Sequence, residues 1–255
     1  MAIEGLVDIV ADSPDIQHVH NQLSTPRQEI LFTGLSGSQK SLYVAALYKT
    51  LRARKEAPTV VLTYNQVAAQ RLYADLSSLL PDVENLLLYP AVEVDPHEEV
   101  TRDLGVEQAR LLAIEAVLRR SGLVIAPVQA VAERLVPKET YIAHRREITM
   151  DSVIEIGALT EDLVAMGYER VDRVDGPGQF SVRGGIIDVY PLTEPHGIRV
   201  ELFDTDVDSI RTFDPATQRS IDKLERVVIG PAREALFPAA ALDSAVEAIE
   251  RAARL

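Results

Sequence analysis

The stretch from Gly178 to Ile221 constrains the fold of this chain more than any other part of the sequence. Apolar and polar residues alternate there in short runs, and each run is closed by a turn sequence. Alternation with a period of two is typical of β-strands that bury one face, and turns at this spacing join neighbouring strands as hairpins. The turns are Gly184–Gly185, Pro195–Gly197 and Asp204–Asp206. The stretch therefore predicts an antiparallel sheet.

The residues before this stretch follow a different pattern, in which short apolar strands alternate with helical segments. This alternation predicts a parallel sheet covered by helices on both faces, because parallel strands need long crossover connections. The predicted strands are Glu29–Thr33, Thr59–Thr63, Asn85–Tyr89 and Gly122–Ala126. The predicted helices are Ser41–Arg54, Gln66–Leu80 and Thr101–Arg120.

The pattern changes near Pro137, which marks a domain boundary. A strand and a helix are predicted ahead of the hairpin strands, an order typical of an α+β domain. A further strand and a terminal helix close the chain, and that helix ends without a glycine cap, as in a chain that continues. These four predicted elements are Tyr141–Thr149, Met150–Met166, Leu224–Ile229 and Ala239–Ala253. We expect an α/β domain over 1–136, a smaller α+β domain over 137–220, and a return segment over 221–255 that packs on the first domain.

Composition excludes several kinds of site. The 255 residues include no cysteine, which excludes disulfide bonds, zinc–thiolate sites and a cysteine nucleophile. The formal net charge of −13 opposes a phosphate backbone, so we do not expect the chain to bind nucleic acid strongly by itself. No apolar run reaches the roughly eighteen residues that a membrane helix needs, and the N-terminus has no signal-peptide pattern. These features predict a cytoplasmic protein without membrane contact.

Residues 34–41, GLSGSQKS, are similar to the phosphate-binding loop G-x-x-x-x-G-K-[ST] that joins a strand to a helix. Gln39 replaces the second glycine of that motif, and we expect its side chain to crowd the place where phosphates would lie. The predicted strands nearby also end without the acidic pair that holds Mg²⁺ in nucleotide hydrolases. We therefore expect a phosphate-loop fold that no longer holds nucleotide. The other residues of this loop with a role in the motif or its backbone are Gly34, Gly37, Lys40 and Ser41.

Other polar residues do not form a recognisable catalytic or metal site. The five histidines lack metal-ligand spacing, and the alternating aspartates of 204–208 lack the glycine and distal glutamate of a calcium loop. We expect these aspartates to lie in a charged turn. Asp188 lies within an apolar strand and, if buried, needs a partner, for which Arg183 and Arg199 are alternatives.

Three segments have a distinctive amino-acid sequence: GYERVD at 167–172, FSVRGGIIDVYP at 180–191 and RVELFD at 199–204. They resemble the second domain shared by the excision-repair protein UvrB and the transcription-repair coupling factors (the Mfd family). The resemblance implies that this domain docks UvrA through Arg170 and Arg183, with Phe180 and Tyr190 beside them. Ser181 stands where UvrB has a further arginine, and this departure fits the coupling factors.

The charge composition of the domain also favours a protein partner over nucleic acid. Residues 137–213 contain eight Lys or Arg and fifteen Asp or Glu, which disfavours nucleic acid as the target. Exposed arginines can contact carboxylates in a planar, bidentate way, and they are common anchors of protein interfaces. The alternative is that Arg170 and Arg183 pair with Asp172 or Asp188 inside their own domain.

The resemblance also separates the two relatives. UvrB has an intact phosphate loop and inserts an aromatic-rich hairpin into its first domain, whereas here Gln39 interrupts the loop and residues 88–110 leave no room for that hairpin. The chain thus resembles the N-terminal region of a coupling factor, with a degenerate, helicase-like first domain.

The resemblance implies no catalysis and no cofactor for this part of such a protein. ATP and Mg²⁺ would belong to a DNA translocase elsewhere in the full protein, which contacts DNA and displaces stalled RNA polymerase. Two alternatives remain open. One is a UvrB-type repair subunit that binds ATP and damaged DNA, and the other is a module that packs on the rest of its own protein and inhibits it.

Overall fold

The computed structural model describes residues 3–23, 25, 27–52, 58–92, 103–236 and 251. The chain divides into two compact units, 1–134 and 135–255. The first is built on a parallel sheet and the second on antiparallel sheets, so the predicted mixture of α/β and α+β architecture is confirmed. None of the helices in the described ranges combines the length and apolar character of a membrane span.

The first unit contains a three-stranded parallel sheet with β3 in the centre, in the order β1-β3-β2. Strands and helices alternate along the chain after the first three helices, as the sequence predicts. The strands are β1 (Thr59–Thr63), β2 (Leu86–Leu88) and β3 (Leu123–Pro127). The helices are α1 (Ile3–Ala11), α2 (Pro14–Gln22), α3 (Gln39–Arg52), α4 (Gln66–Leu79), α5 (Leu104–Leu118) and α6 (Val128–Ala132).

Side-chain caps fix where two helices of the first unit begin. The Asn65 side chain accepts a hydrogen bond from the Ala68 amide at 2.8 Å, at the start of α4. The Asp103 carboxylate accepts from the amides of Gly105 and Val106, at 2.9 and 3.1 Å, at the start of α5. Such caps satisfy amides that have no partner within the helix.

The core of the first unit lies on both faces of β3. Leu123 and Ile125 belong to a cluster with buried residues of α3 and α4. Val124 and Ala126 face the opposite way, into a cluster that includes Ala113 of α5 and a residue of α6. The uninterrupted apolar run of β3 follows from this burial on two faces.

One predicted strand of the first unit is wrong. Residues 28–33 have no regular secondary structure, and Leu31 is 86% exposed. A strand forms only where a neighbouring edge accepts its backbone groups, and no described strand pairs with this segment. The edge strand β1 correspondingly leaves Val60 and Leu62 about half exposed.

The second unit contains a six-stranded sheet in the order β10-β9-β8-β7-β6-β5, in which only the edge pair β5–β6 is parallel. A separate antiparallel pair joins β4 to β11. The helices are α7 (Lys138–Ala143) and α8 (Ile156–Ala165). The strands are β4 (Arg146–Thr149), β5 (Glu169–Arg170), β6 (Gln179–Arg183), β7 (Ile186–Val189), β8 (Gly197–Phe203), β9 (Asp206–Phe213), β10 (Ser220–Leu224) and β11 (Arg226–Ile229).

Three predictions in the second unit need correction or remain open. Residues 141–149 are not one strand, because α7 follows Pro137 directly and the strand begins only at Arg146. Residues 224–229 are likewise not one strand, since β10 and β11 pair with different partners. The predicted terminal helix at 239–253 lies outside the described residues except for residue 251, and the packing of 221–255 on the first unit stays a prediction.

Strand alternation gives the six-stranded sheet two unlike faces. One face carries buried apolar side chains, among them Phe180, Val189 and Ile198, which are cross-strand partners. We call the opposite side the polar face. Its members in the middle of the sheet are Ser181, Arg183, Ile186, Asp188, Arg199, Glu201 and Phe203.

Candidate docking surface

The edge strand β5 holds Arg170 in an exposed position. Its backbone is fixed on both sides, because the Glu169 amide donates to Gly178 and the Val171 amide donates to Phe180. The Arg170 guanidinium makes no ion pair or side-chain hydrogen bond with a described residue, so the predicted alternative partner Asp172 does not engage it. Its donors are therefore available to a carboxylate outside the chain.

Arg183 lies at the other end of β6, where that strand meets the turn into β7. Arg170 is level with Phe180 and Arg183 with Ile186, so the two arginines are separated by three residues of β6, about 10 Å along the strand. The Arg183 side chain is 56% exposed, and its guanidinium lies 3.6 Å from the Asp188 carboxylate. This separation is longer than a normal hydrogen bond, so the pairing is weak.

Asp188 is held instead by Arg199 of the neighbouring strand. The Asp188 side chain is 1% exposed, and both carboxylate oxygens accept from the Arg199 guanidinium, at 2.7 and 2.8 Å. Donation of these hydrogen bonds to the Asp188 carboxylate raises the pKa of Arg199 above its usual value. The guanidinium also lies over the Phe213 ring, 4.9 Å from its centroid. Arg183 and Arg199 were alternative partners in the sequence analysis, and the structure shows that Arg199 is the main partner of Asp188.

The two aromatic residues predicted for the surface differ. Tyr190 is partly exposed, and its hydroxyl donates to the Pro195 carbonyl at 3.1 Å, so its ring is held at the end of β7. Phe180 is fully buried and belongs to the apolar core. Phe180 therefore cannot contact a partner directly, and we assign it to the support of β5 and β7. The alternation of β6 already carries this information, since Phe180 is out of phase with Ser181 and Arg183.

The loop at 34–41 has the backbone of a tight turn before a helix. Gly34 and Gly37 have positive φ angles of 81° and 54°, which favour glycine. The Gln39 side-chain oxygen accepts from the Ser36 amide at 3.0 Å. The buried Ser41 hydroxyl donates to the Asp75 carboxylate at 2.5 Å. Lys40 is exposed.

The sequence did not predict two features, the position of Asp75 in the first unit and the exposure of Phe203 in the second. Asp75 lies beside the loop only because α3 and α4 pack together, and no motif signals it. Phe203 is 80% exposed on the polar face, although an aromatic residue in an alternating run predicts burial. In the described ranges, no group of three or more His, Asp or Glu side chains lies close enough together to hold a metal ion.

Comparison with known proteins gives the family. Residues 147–234 match the family model described as the UvrB interaction domain. The chain is 38% identical over 236 residues to the transcription-repair-coupling factor of Bacillus subtilis, which covers 92% of this chain and 20% of that protein. It is 36% identical over 222 residues to the corresponding factor of Staphylococcus aureus, which covers 86% of this chain and 18% of that protein. The chain thus spans a minor part of the length of these curated relatives. Residues 147–234 belong to the UvrB interaction domain family, and the chain is a homologue of a part of the transcription-repair-coupling factors.

Proposed function

We propose that this chain recruits UvrA through the β5–β6–β7 edge of its second unit. The observation that carries the proposal is that two arginines at this edge of the sheet are exposed and lack a close partner among the described residues. Arg170 is exposed and has no described partner, and Arg183 is freed because Arg199 neutralises Asp188. Tyr190 follows β7 directly and presents a fixed, partly exposed ring.

This arrangement fits a partner surface that carries carboxylates. Each guanidinium has a fork of donors that matches a carboxylate, and the sheet fixes the backbone on which it is carried. The remainder of the domain is acidic, so nucleic acid is disfavoured at the same surface. The recruited partner is therefore a protein.

Alanine variants at the two arginines test the proposal. Arg170→Ala and Arg183→Ala should each raise the Kd for UvrA at least about fivefold, which corresponds to about 1 kcal/mol of binding free energy. Arg219→Ala is the matched control, since Arg219 is exposed near the β9–β10 turn and is not part of the surface. Equal affinities for all three variants and the parent chain would contradict the assignment of these residues.

For the longer protein, we propose the activity of a transcription-repair coupling factor. Such a protein displaces stalled RNA polymerase with an ATP-driven DNA translocase and hands the lesion to excision repair. RNA polymerase, DNA, ATP and Mg²⁺ are then bound by regions outside this chain, and the chain acts as the adaptor.

We further propose that the loop at 34–41 is a degenerate phosphate loop that does not hold nucleotide. Gln39 occupies the Ser36 amide, and Ser41, whose hydroxyl would face Mg²⁺ in a working loop, is bound to Asp75. The Asp75 carboxylate also places negative charge near the position of the phosphates. The parent chain should therefore show no ATP binding in a titration up to millimolar nucleotide. Saturable binding in that range would favour the UvrB-type alternative.

A further inference from the structure

Three exposed apolar side chains lie together at one end of the polar face. Phe203 is 80% exposed, Val153 is 70% exposed and Ile186 is 39% exposed. We call these three residues the apolar cluster. The solvent face of an antiparallel sheet is normally polar, so a group of exposed apolar residues that includes a phenylalanine marks a surface that another molecule covers.

Strand register places the apolar cluster directly beside Arg183. Ile186 is the cross-strand partner of Arg183 and also of Glu201. Phe203 follows Glu201 by two residues, so it lies on the same face as Ile186. Phe203 is in turn paired with Asp206, which forms a bridge to Val153. The cluster is therefore continuous with the guanidinium that the proposed function uses.

The backbone beneath the cluster is fixed. The Ile154 amide donates to Thr205 at 2.7 Å, and the Leu202 amide donates to Gly185 at 2.8 Å. A Cβ atom at Gly185 would lie 2.7 Å from the Leu202 carbonyl oxygen, so the β6–β7 turn packs closely against β8. This chain would therefore lose little backbone entropy when a partner binds here, which favours binding.

Charge at the two ends of the cluster restricts what can cover it. Arg183 lies at one end, and the exposed Asp206 lies at the other, between Phe203 and Val153. The surface that fits is an apolar patch with a carboxylate opposite Arg183 and a basic side chain opposite Asp206. Aromatic residues, phenylalanine among them, and arginine are enriched at protein interfaces.

We propose that the apolar cluster is the hydrophobic anchor of the docking surface and is covered by the same partner protein that contacts Arg183. This inference rests on the proposed function, so the partner in the test is UvrA. A molecule that reaches the Arg183 guanidinium across the polar face also covers Ile186 and Phe203, because these side chains are neighbours in register. Arg183 then supplies charge recognition and Phe203 supplies the buried apolar area.

A titration of UvrA against Phe203→Ser tests the anchor. Ile221→Ser is the matched control, because Ile221 is 47% exposed in β10 and lies near the other end of β9. Both substitutions are at exposed positions and should leave the fold intact. We expect Phe203→Ser to raise the Kd at least about tenfold and Ile221→Ser to change it less than about twofold. The Phe203→Ser effect should persist at high salt, whereas that of Arg183→Ala should shrink.

The outcomes separate this inference from the proposed function. If the parent chain binds UvrA and Arg183→Ala weakens it, but Phe203→Ser binds as the parent does, the anchor is refuted and the docking role stands. If the parent chain does not bind UvrA, both are refuted. In that case, sedimentation of the parent chain and Phe203→Ser would show whether the cluster pairs with a second copy.

Discussion

Replacing Arg199 with methionine removes the group that neutralises Asp188 while it keeps an unbranched side chain over the Phe213 ring. Two charge-assisted hydrogen bonds are lost, and a carboxylate that is 1% exposed is left without its main partner. Removal of one member of a buried ion pair costs about 3–5 kcal/mol. Arg183 lies 3.6 Å away and can compensate in part, so we expect about 3 kcal/mol, at the lower end of this range.

Urea unfolding measures this loss. With a slope of about 2 kcal/mol per molar urea, 3 kcal/mol lowers the midpoint by about 1.5 M. Because the chain has two units, circular dichroism should be combined with amide hydrogen exchange of residues 186–203, which identifies the transition of the second unit.

A double variant supplies the control. Asp188→Val/Arg199→Met removes both charges together and should lie within about 1 kcal/mol of the parent, since an apolar replacement of a buried ion pair is often neutral. The reasoning is refuted if Arg199→Met costs less than about 1 kcal/mol, or if the double variant is as unstable as the single one. Arg183→Ala alone should cost little stability, because its contact is long and its side chain is exposed.

Two further predictions concern the same sheet. Gly197→Ala should destabilise the second unit by about 1–3 kcal/mol in urea unfolding, because its Cβ would lie 2.4 Å from ring atoms of the buried Phe213. Gly157→Ala in α8 is the contrasting case, since no atom lies near its added Cβ, and it should raise the free energy of unfolding by about 0.5–1 kcal/mol. A stable Gly197→Ala would mean that the ring can move. The amides of Ala216 and Thr217 hold the pKa of the surface carboxyl of Asp214 below its usual value, so its contribution to stability is present above the unfolded-state pKa of aspartate, about 4, and is lost as the pH falls through the lower folded-state pKa. Asp214→Asn should remove this pH dependence, and an NMR titration that gives an ordinary pKa for Asp214 would contradict it.

The fold followed from the sequence where local pattern and final pairing agree. Thr59–Thr63 is a strand with the predicted bounds, since its apolar run lies between a helix and a helix cap and pairs with β3. The hairpin strands from 179 to 213 also match, because glycine and aspartate turns fix their register.

The wrong predictions concern segments whose secondary structure is not determined by their own apolar pattern. Glu29–Thr33 has the composition of a strand but has no described edge to pair with, so its apolar residues remain outside any sheet. Residues 141–149 contain apolar residues compatible with either structure, and the first of them lie in α7.

Only part of the candidate docking surface could be predicted from the sequence. Arg170 and Arg183 came from the resemblance, and their exposure agrees with a surface role. Which arginine neutralises Asp188 depends on strand register, which places Arg199 directly opposite it. The apolar cluster depends on a bridge between Val153 and Asp206, residues far apart in sequence, so no local pattern could predict it.

The most direct test of the docking role is a binding titration of UvrA with the parent chain and with the Arg170→Ala/Arg183→Ala double variant. Circular dichroism should first show that the double variant is folded. We predict saturable binding by the parent chain and a loss of at least about tenfold in affinity for the double variant. No binding by the parent chain, or equal binding by both, would contradict the assignment of this edge as the docking surface.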